Sequence, residues 1–237
     1  MNHINEKCKV KNEKCLSACH AQAGKILTFA LCTLQFAILL SGCGTAFQVG
    51  SEIQAGRSAL KQGQPKAALA SFQRAAELDP DYYLNFSLLN QGVWTYMGRA
   101  HYAAGNFAEA RKALERARAR YDWDHLAQLY LGLTLARDGD RERGLKEIEA
   151  GLRGVGDWLE NIHYQIYDGK FWDSGRNIRN EIESSLATIR GRDMDLKQLI
   201  TSAEWVGREM EDEIERVVRE RMRESRDDDK GQDKGND

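Results

Sequence analysis

The chain has 237 residues, of which 42% are hydrophobic and 30% are charged, with a formal net charge of −2. This length is enough to bury one sizeable core, and the near-neutral charge gives no general electrostatic basis for binding nucleic acid. Only two prolines occur in the chain, and the abundance of Ala, Leu, Glu and Arg favours helices.

The first predicted element is a short apolar segment near the amino terminus. Residues 26–40 carry no charge, and as a helix they would fall well short of a bilayer core of about 30 Å. Lysines precede the segment, and the small residues Ser41 and Gly42 follow it. This order of positive, apolar and small residues is typical of a secretory signal rather than a membrane span.

The four residues LSGC, from Leu40 to Cys43, resemble the lipobox of bacterial lipoproteins. In that family a diacylglycerol is attached to the cysteine thiol and signal peptidase II cuts just before it. The resemblance implies that 1–42 is a signal peptide and that Cys43 becomes a lipidated first residue, which holds the protein to a membrane of the cell envelope. Gly44 in place of aspartate implies the periplasmic side of the outer membrane in a Gram-negative source. The alternative is an uncleaved signal anchor with a cysteine there by chance.

All five cysteines lie at or before the cleavage point: Cys8, Cys15, Cys19, Cys32 and Cys43. Processing would leave one lipidated cysteine, so no disulfide could form in the mature chain. The first three cysteines with His20 could also indicate a metal cluster, but their place in a discarded segment argues against one. The first 42 residues hold five lysines and two glutamates, so their removal changes the formal charge from −2 to −5.

After a predicted linker at 43–48, three segments of the chain repeat one another. Three sets of equivalent positions align in them: Gly56, Gly98 and Gly132; Ala68, Ala110 and Gly144; Phe72, Leu114 and Ile148. The offset from the second copy to the third is 34 residues, and the offset from the first to the second is 42. The first offset is the period of a known helical repeat, and the second exceeds it by eight residues.

The pattern resembles the tetratricopeptide repeat (TPR) family, in which Trp94, Met97 and Gly98 would occupy the W-x2-L-G positions. The resemblance implies an all-α solenoid of helical hairpins, with about three repeats across 49–158. We interpret the eight extra residues as about two added turns on the first helix of the second copy, with a long loop as the alternative. The copies are expected at these positions: 49–82, 91–124 and 125–158.

The third copy departs from the family pattern because it contains Gly144, Gly151 and Gly156. Each interior glycine costs about 1 kcal/mol relative to alanine. Its second helix is therefore predicted to be the weakest of the six.

The segment after the repeats, 159–225, is predicted to form an aromatic cap and amphipathic helices. Five aromatic residues surround a turn signal near its start: Trp158, Tyr164, Tyr167, Phe171 and Trp172. They are expected to cover the last repeat, with a binding surface as the alternative. Apolar periodicity predicts helices at 176–190 and 194–224, the second packed back on the repeats or paired in a coiled coil. The charged tail 226–237 has no apolar residue and is predicted to be disordered.

No motif in the sequence indicates catalysis. The chain has no glycine-rich phosphate loop and no nucleophile in an elbow-like context, so no catalytic residue is assigned and an enzyme is not expected. The residues DWDH at 122–125 could coordinate a cation, but such a connector is more commonly solvated. No metal site and no cofactor are therefore expected.

The resemblance also implies where a partner would bind, because the first helices of TPR hairpins form the concave wall. Carried onto this chain, the partner-binding groove consists of nine residues: Ile53, Arg57, Leu60, Thr95, Arg99, Tyr102, Leu129, Leu133 and Arg137. An apolar strip edged by three arginines suits a partner segment with acidic and apolar side chains. The alternative is that the arginines bond acids of their own chain, such as Glu52 or Asp138.

These patterns together indicate a lipid-anchored scaffold or assembly factor that binds protein partners of the cell envelope. The alternative is a ligand-handling accessory subunit of a periplasmic transport system. A scaffold predicts an open groove of mixed polarity. A ligand subunit predicts a closed apolar cavity, and usually more helices than three copies provide.

Overall fold

The structure is a computed structural model that describes the following residues: 45–86, 89–165, 167–191 and 194–233. The chain divides into two compact units, Met1–Gln48 and Val49–Asp237, and only 45–48 of the first unit are described. The predicted signal peptide at 1–42 and the lipidation site Cys43 lie outside the described residues. Among those described, no helix is both long enough and apolar enough to cross a membrane.

The architecture is all-α, as predicted, with one small addition. The described part of the chain forms eight helices: α1 at 45–61, α2 at Pro65–Leu78, α3 at Val93–Ala103, α4 at Phe107–Arg120, α5 at His125–Asp138, α6 at Arg141–Gln165, α7 at Asn177–Arg190 and α8 at Leu196–Asp233. Consecutive helices from α1 to α6 pack as three antiparallel hairpins in a TPR-type solenoid. Helix α1 already includes 45–48, which were expected to be part of a linker.

The aligned glycines explain how each hairpin packs. A Cβ on Gly56 would overlap the side chain of Phe72, and a Cβ on Gly98 would overlap that of Leu114. Phe72 and Leu114 occupy the aligned bulky position of their copies. In the third copy a Cβ on Gly132 would overlap the backbone of α6. The repeat pattern therefore corresponds to one contact, in which a glycine of the first helix admits a bulky residue of the second.

Helix α6 continues for 25 residues through all of its glycines, and its low stability relative to the other five repeat helices stays a prediction. A Cβ on Gly144 would lie 2.6 Å from the backbone N of Ala136, and one on Gly151 would lie 2.6 Å from the Cα of Leu129. These glycines face α5 and allow the two backbones to touch. The helix also passes the expected end of the repeat at 158. Its helix propensity is low, but its packing against α5 is unusually close.

The eight extra residues of the second copy form two strands, so the prediction of added helical turns is wrong. Strands β1 (Tyr83–Phe86) and β2 (Leu89–Gly92) pair antiparallel, with Tyr83 opposite Gly92. Pro80 cannot continue α2, and Gly92 has an extended backbone (φ −80°, ψ 160°) directly before α3. The insertion is confined between two helix boundaries, and it satisfies its backbone groups by strand pairing.

The aromatic residues after the repeats close the end of the core. Trp172 is fully buried and meets Trp158 edge to face, with 4.8 Å between ring centroids. Both pack in the cluster that contains Leu152 and Ile182, beside a short 3-10 turn at Tyr167–Phe171. The two tryptophans therefore lie at the end of α6, where the cap was expected.

An unpredicted ion pair fixes α7 against α6. The carboxylate of Asp173 accepts hydrogen bonds from the backbone N–H groups of Ile178 and Arg179, both at 3.0 Å, and so caps α7. The buried Arg179 guanidinium pairs with Asp173 at 3.2 Å and donates to the carbonyl of Leu159 on α6 at 2.6 Å. Helix α7 itself agrees with the predicted helix at 176–190.

Helix α8 packs back on the repeats, as favoured over a coiled coil. Its apolar stripe is buried against the rest of the unit: Leu199, Ala203, Val206, Met210, Ile214 and Val217. The helix runs to Asp233, so the predicted disorder is wrong for 226–233, where no proline interrupts the hydrogen-bond ladder. Residues 234–237 of the predicted tail lie outside the described residues.

Candidate functional site: the concave wall under α8 and the inserted hairpin

Five of the nine predicted groove residues line one cavity beneath α8: Arg57, Leu60, Arg99, Tyr102 and Arg137. The other four are buried among the helices: Ile53, Thr95, Leu129 and Leu133. Arg57 and Arg99 are also buried, Leu60 and Tyr102 are half-buried, and Arg137 is exposed. Helix α8 therefore lies over part of the surface that was expected to be an open groove.

One carboxylate on α8 joins the arginines of the first two repeats. Glu211 accepts from Arg57 Nε through one oxygen and from Arg99 Nη1, at 2.7 Å, through the other. Arg57 Nη1 also donates to Gln54 Oε1 at 2.7 Å, and Arg99 Nη1 donates to Gln91 Oε1 at 2.8 Å. Burial alone would raise the pKa of Glu211, but the two guanidinium charges outweigh burial and lower it.

A second carboxylate of α8, that of Glu204, accepts hydrogen bonds from the second and third repeats. Glu204 Oε1 accepts from Arg137 Nη2 at 2.8 Å and from the Tyr102 hydroxyl. Burial and this carboxylate raise the pKa of the Tyr102 phenol. The alternative that the arginines bond acids of their own chain is thus correct in kind, although the acids are on α8. Glu52, which was one of the expected partners, instead pairs with Arg74 at 2.7 Å.

The connector DWDH is only partly solvated, which corrects the expectation from sequence. Asp124 is buried, accepts from the Thr95 hydroxyl at 2.6 Å, and caps α5 by accepting from the Ala127 N–H at 2.9 Å. Burial raises its pKa. Thr95 therefore serves this internal bond rather than a groove. Within the described ranges, no three His, Cys, Asp or Glu side chains are grouped as a metal site.

A cavity of about 430 Å³ remains between the concave wall and α8. Aromatic side chains from α3, α4 and α5 form much of its wall: Tyr96, Tyr102, Phe107 and Tyr130. Charged residues of α1 and α8, including Arg57 and Glu211, also line it. Its volume falls within the range of about 300 to 1,000 Å³ that is typical of small-molecule sites.

A second surface, which we call the aromatic surface, lies where the inserted hairpin meets the end of α4. It consists of Tyr83, Tyr121 and Trp123 in successive contact, with centroid distances of 5.5 Å and 5.0 Å. Tyr83 and Trp123 are 45% and 43% exposed, so the row presents a continuous aromatic patch to solvent. The Tyr121 hydroxyl donates to the carbonyl of Asp81 at 3.0 Å, so the row is held in place.

Two arginines of α4 lie beside the aromatic surface. Arg118 donates to the carbonyl of Asp122, next to Trp123. Arg120 lies 5.7 Å from the ring centroid of Tyr121 and pairs with Asp81 at 3.3 Å. Sequence reasoning missed this surface because it looked for binding residues on the first helices alone. The run ARARYDW at 117–123 was a signal that could have indicated it.

Comparison with known proteins agrees with this geometry. Residues 59–133 match the family model described as "Tetratricopeptide repeat", and that range runs from the end of α1 into α5. Neither the curated proteins nor the solved structures give a significant match. TPR modules typically bind protein partners and are not catalytic. The part of the chain from 59 to 133 therefore carries tetratricopeptide repeats within an all-α, TPR-type solenoid.

Proposed function

We propose that this protein is a lipid-anchored scaffold or assembly factor of the cell envelope, with its TPR module binding a protein partner. The match at 59–133 supports a role in protein–protein interaction. The lipobox-like LSGC at Leu40 to Cys43 supports the anchor, and Gly44 in place of aspartate supports the outer-membrane location. No catalytic role is part of this proposal.

The observation that carries the proposal is the aromatic surface. Tyrosine, tryptophan and arginine are the residues most enriched in the energetically dominant parts of protein interfaces. Here Trp123 and Tyr83 are exposed together, beside arginines on a chain whose part after residue 42 has a formal charge of −5. We therefore place the partner on this surface rather than in the groove, and we expect its docking segment to contain carboxylate and apolar side chains.

Site-specific photo-crosslinking in the source organism tests this placement. A photoreactive phenylalanine analogue at Trp123 should give one discrete adduct, whereas the same analogue at Ser184, an exposed residue of α7, should not. Charge reversal by Arg120→Glu should reduce the adduct at position 123, because the partner segment is acidic. Equal adducts at both positions, or no effect of charge reversal, would remove the aromatic surface as the site.

The cavity under α8 favours a second candidate function, a ligand-handling accessory subunit of a transport system. A cavity with aromatic walls is a feature that such a subunit requires. Its transport partner would be found by the same crosslinking, as an adduct whose amount changes when a ligand is added.

A further inference from the structure

The cavity under α8 is lined by more positive charge than negative charge. Its cationic side chains are Arg57, Lys61, Arg99, Arg137 and Arg208. Its acidic side chains are Glu204, Glu211 and Asp212. The lining therefore carries two more positive than negative charges, and Glu215, which pairs with Lys61 from outside the lining, offsets one of them.

The imbalance begins with the buried groups. Arg57 and Arg99 are only 5% and 6% exposed, yet they share the single carboxylate of Glu211. A further buried acid that interacts with Arg99 is Asp124, but burial raises the pKa of Asp124 and so disfavours its charged form. A buried cation without a full counter-charge is costly, so this arrangement favours an additional anion.

Unused hydrogen-bond donors support the same conclusion. Arg57 Nη2 and Arg99 Nε are buried and have no hydrogen-bond partner. Arg99 compensates in part by lying against aromatic rings, 5.1 Å from the centroid of Tyr130 and 5.7 Å from that of Tyr96. The face of an aromatic ring attracts a cation, but the ring carries no net charge and does not neutralise it.

The side of the cavity open to solvent carries a cation that is not committed to the fold. Lys61 pairs with Asp212 and Glu215, both at 2.8 Å, and Arg137 pairs with Glu204. Arg208 is exposed and makes no hydrogen bond or ion pair with any residue that the structure describes. An entering anion would meet this free guanidinium first.

We propose that this cavity binds a small organic acid, with a carboxylate for the arginines and an aromatic or short aliphatic body for the tyrosine and phenylalanine walls. The volume of about 430 Å³ corresponds to roughly 14 water molecules at about 30 Å³ each. The carboxylate reduces the surplus positive charge, and the apolar body packs against the aromatic wall formed by residues such as Phe107 and Tyr130. The site depends on the cavity alone and requires neither a protein partner nor a transport role.

Calorimetric titration of the purified full chain in nonionic detergent tests the proposal, with protein-free detergent as the blank. The probes are 3-phenylpropionate and hexanoate, and the uncharged control is 3-phenylpropanamide. Saturable binding of at least one acid, at least 10-fold tighter than binding of the amide, is the expected result. No saturable binding of either acid, or equal binding of the amide, would overturn the proposal.

Three variants locate the binding within the cavity. Ala103→Phe fills space at the lining residue Ala103 and should abolish binding, whereas Ala108→Phe, on the exposed side of α4, should leave it unchanged. Arg208→Gln should weaken acid binding several-fold without lowering the melting temperature, because Arg208 supports no contact of the fold. If Ala103→Phe binds the acid as well as the unmodified chain does, the acid is bound elsewhere and the assignment is wrong.

Discussion

Arg99 Nη1 lies 2.7 Å from Glu211 Oε2, although 112 residues separate the two in the chain. Through its other oxygen the same carboxylate bonds Arg57, so one side chain of α8 joins the first two repeats. Both arginines were predicted to face an external partner. They instead fix the position of the chain's own last helix.

Removal of the carboxylate at this junction should be severely destabilising. Glu211→Gln leaves two buried guanidinium groups without a counter-charge, and breaking a buried pair in this way costs about 3 to 5 kcal/mol. The neighbouring change Asp212→Asn removes only an exposed pair with Lys61 and should cost less than about 1 kcal/mol. Urea unfolding followed by circular dichroism measures both. Similar losses for the two variants would show that Arg57 and Arg99 do not depend on Glu211.

The same carboxylate should make stability depend on pH in the acid range. The pKa of Glu211 is lower in the folded chain than its ordinary value of 4.5, so the folded state binds its proton less readily than the unfolded state does. Its contribution is fully present above that ordinary value and is lost as the pH falls through the lower folded value. We expect the free energy of unfolding to fall less steeply with decreasing pH in Glu211→Gln than in the unmodified chain. Parallel curves for the two proteins would contradict this assignment.

Two glycines of α6 should respond in opposite ways to the same substitution. Gly151→Ala places a Cβ 2.6 Å from the backbone of Leu129, so the helices must separate, at a cost of about 1 to 3 kcal/mol. Gly156→Ala meets only a methyl group of Ile182, at 3.3 Å, and should be neutral or stabilising by up to about 1 kcal/mol. Thermal unfolding of both variants checks the pair. Stabilisation by Gly151→Ala would mean that α5 and α6 are not in backbone contact.

A buried and an exposed tryptophan together provide a test of the aromatic cap on the last repeat. Trp172 is fully buried against Trp158, whereas Trp123 is 43% exposed. Trp172→Ala should cost about 3 to 5 kcal/mol, while Trp123→Ala should cost about 1 kcal/mol or less. Melting curves and size-exclusion profiles of the two proteins compare them directly. A cap without structural importance would leave the Trp172→Ala protein as stable as the Trp123→Ala protein.

Membrane attachment should depend on one cysteine. In the proposed lipoprotein, Cys43→Ser removes the acylated thiol and should leave a larger, unprocessed precursor that incorporates no palmitate analogue. Stable anchoring takes more than one acyl chain, each contributing about 0.8 kcal/mol per buried CH₂. Cys32→Ser, within the same apolar segment, is the matched control and should be processed and labelled normally. Label that persists on the Cys43→Ser protein would exclude this site.

The repeats were predictable because each copy carries the same local contact. A glycine such as Gly98 and a bulky residue such as Leu114 recur at a fixed spacing, and packing within one hairpin needs no information from elsewhere. The inserted hairpin was not predictable in this way. Its residues are compatible with helix or strand, and the choice depends on Pro80 and Gly92, which end α2 and begin α3.

The position of α8 could be predicted only in part from the sequence. Its apolar stripe predicted burial, but a stripe does not identify the surface that covers it. Glu204 and Glu211 were the available signal, because residues seven apart share one helix face, and two acids on that face match the arginines of the wall. The exposed row of Tyr83, Tyr121 and Trp123 depends on contacts between separate elements, so no local pattern contains it.

The position of α8 also determines the order in which the chain can fold. In most solenoids each repeat contacts only its neighbours, so structure forms as the chain lengthens. Here the contact between Arg57 and Glu211 joins residues that are 154 positions apart in the chain. Contacts of such large sequence separation slow folding. The arginine-edged wall therefore remains uncovered until α8, the last helix of the chain, is in place.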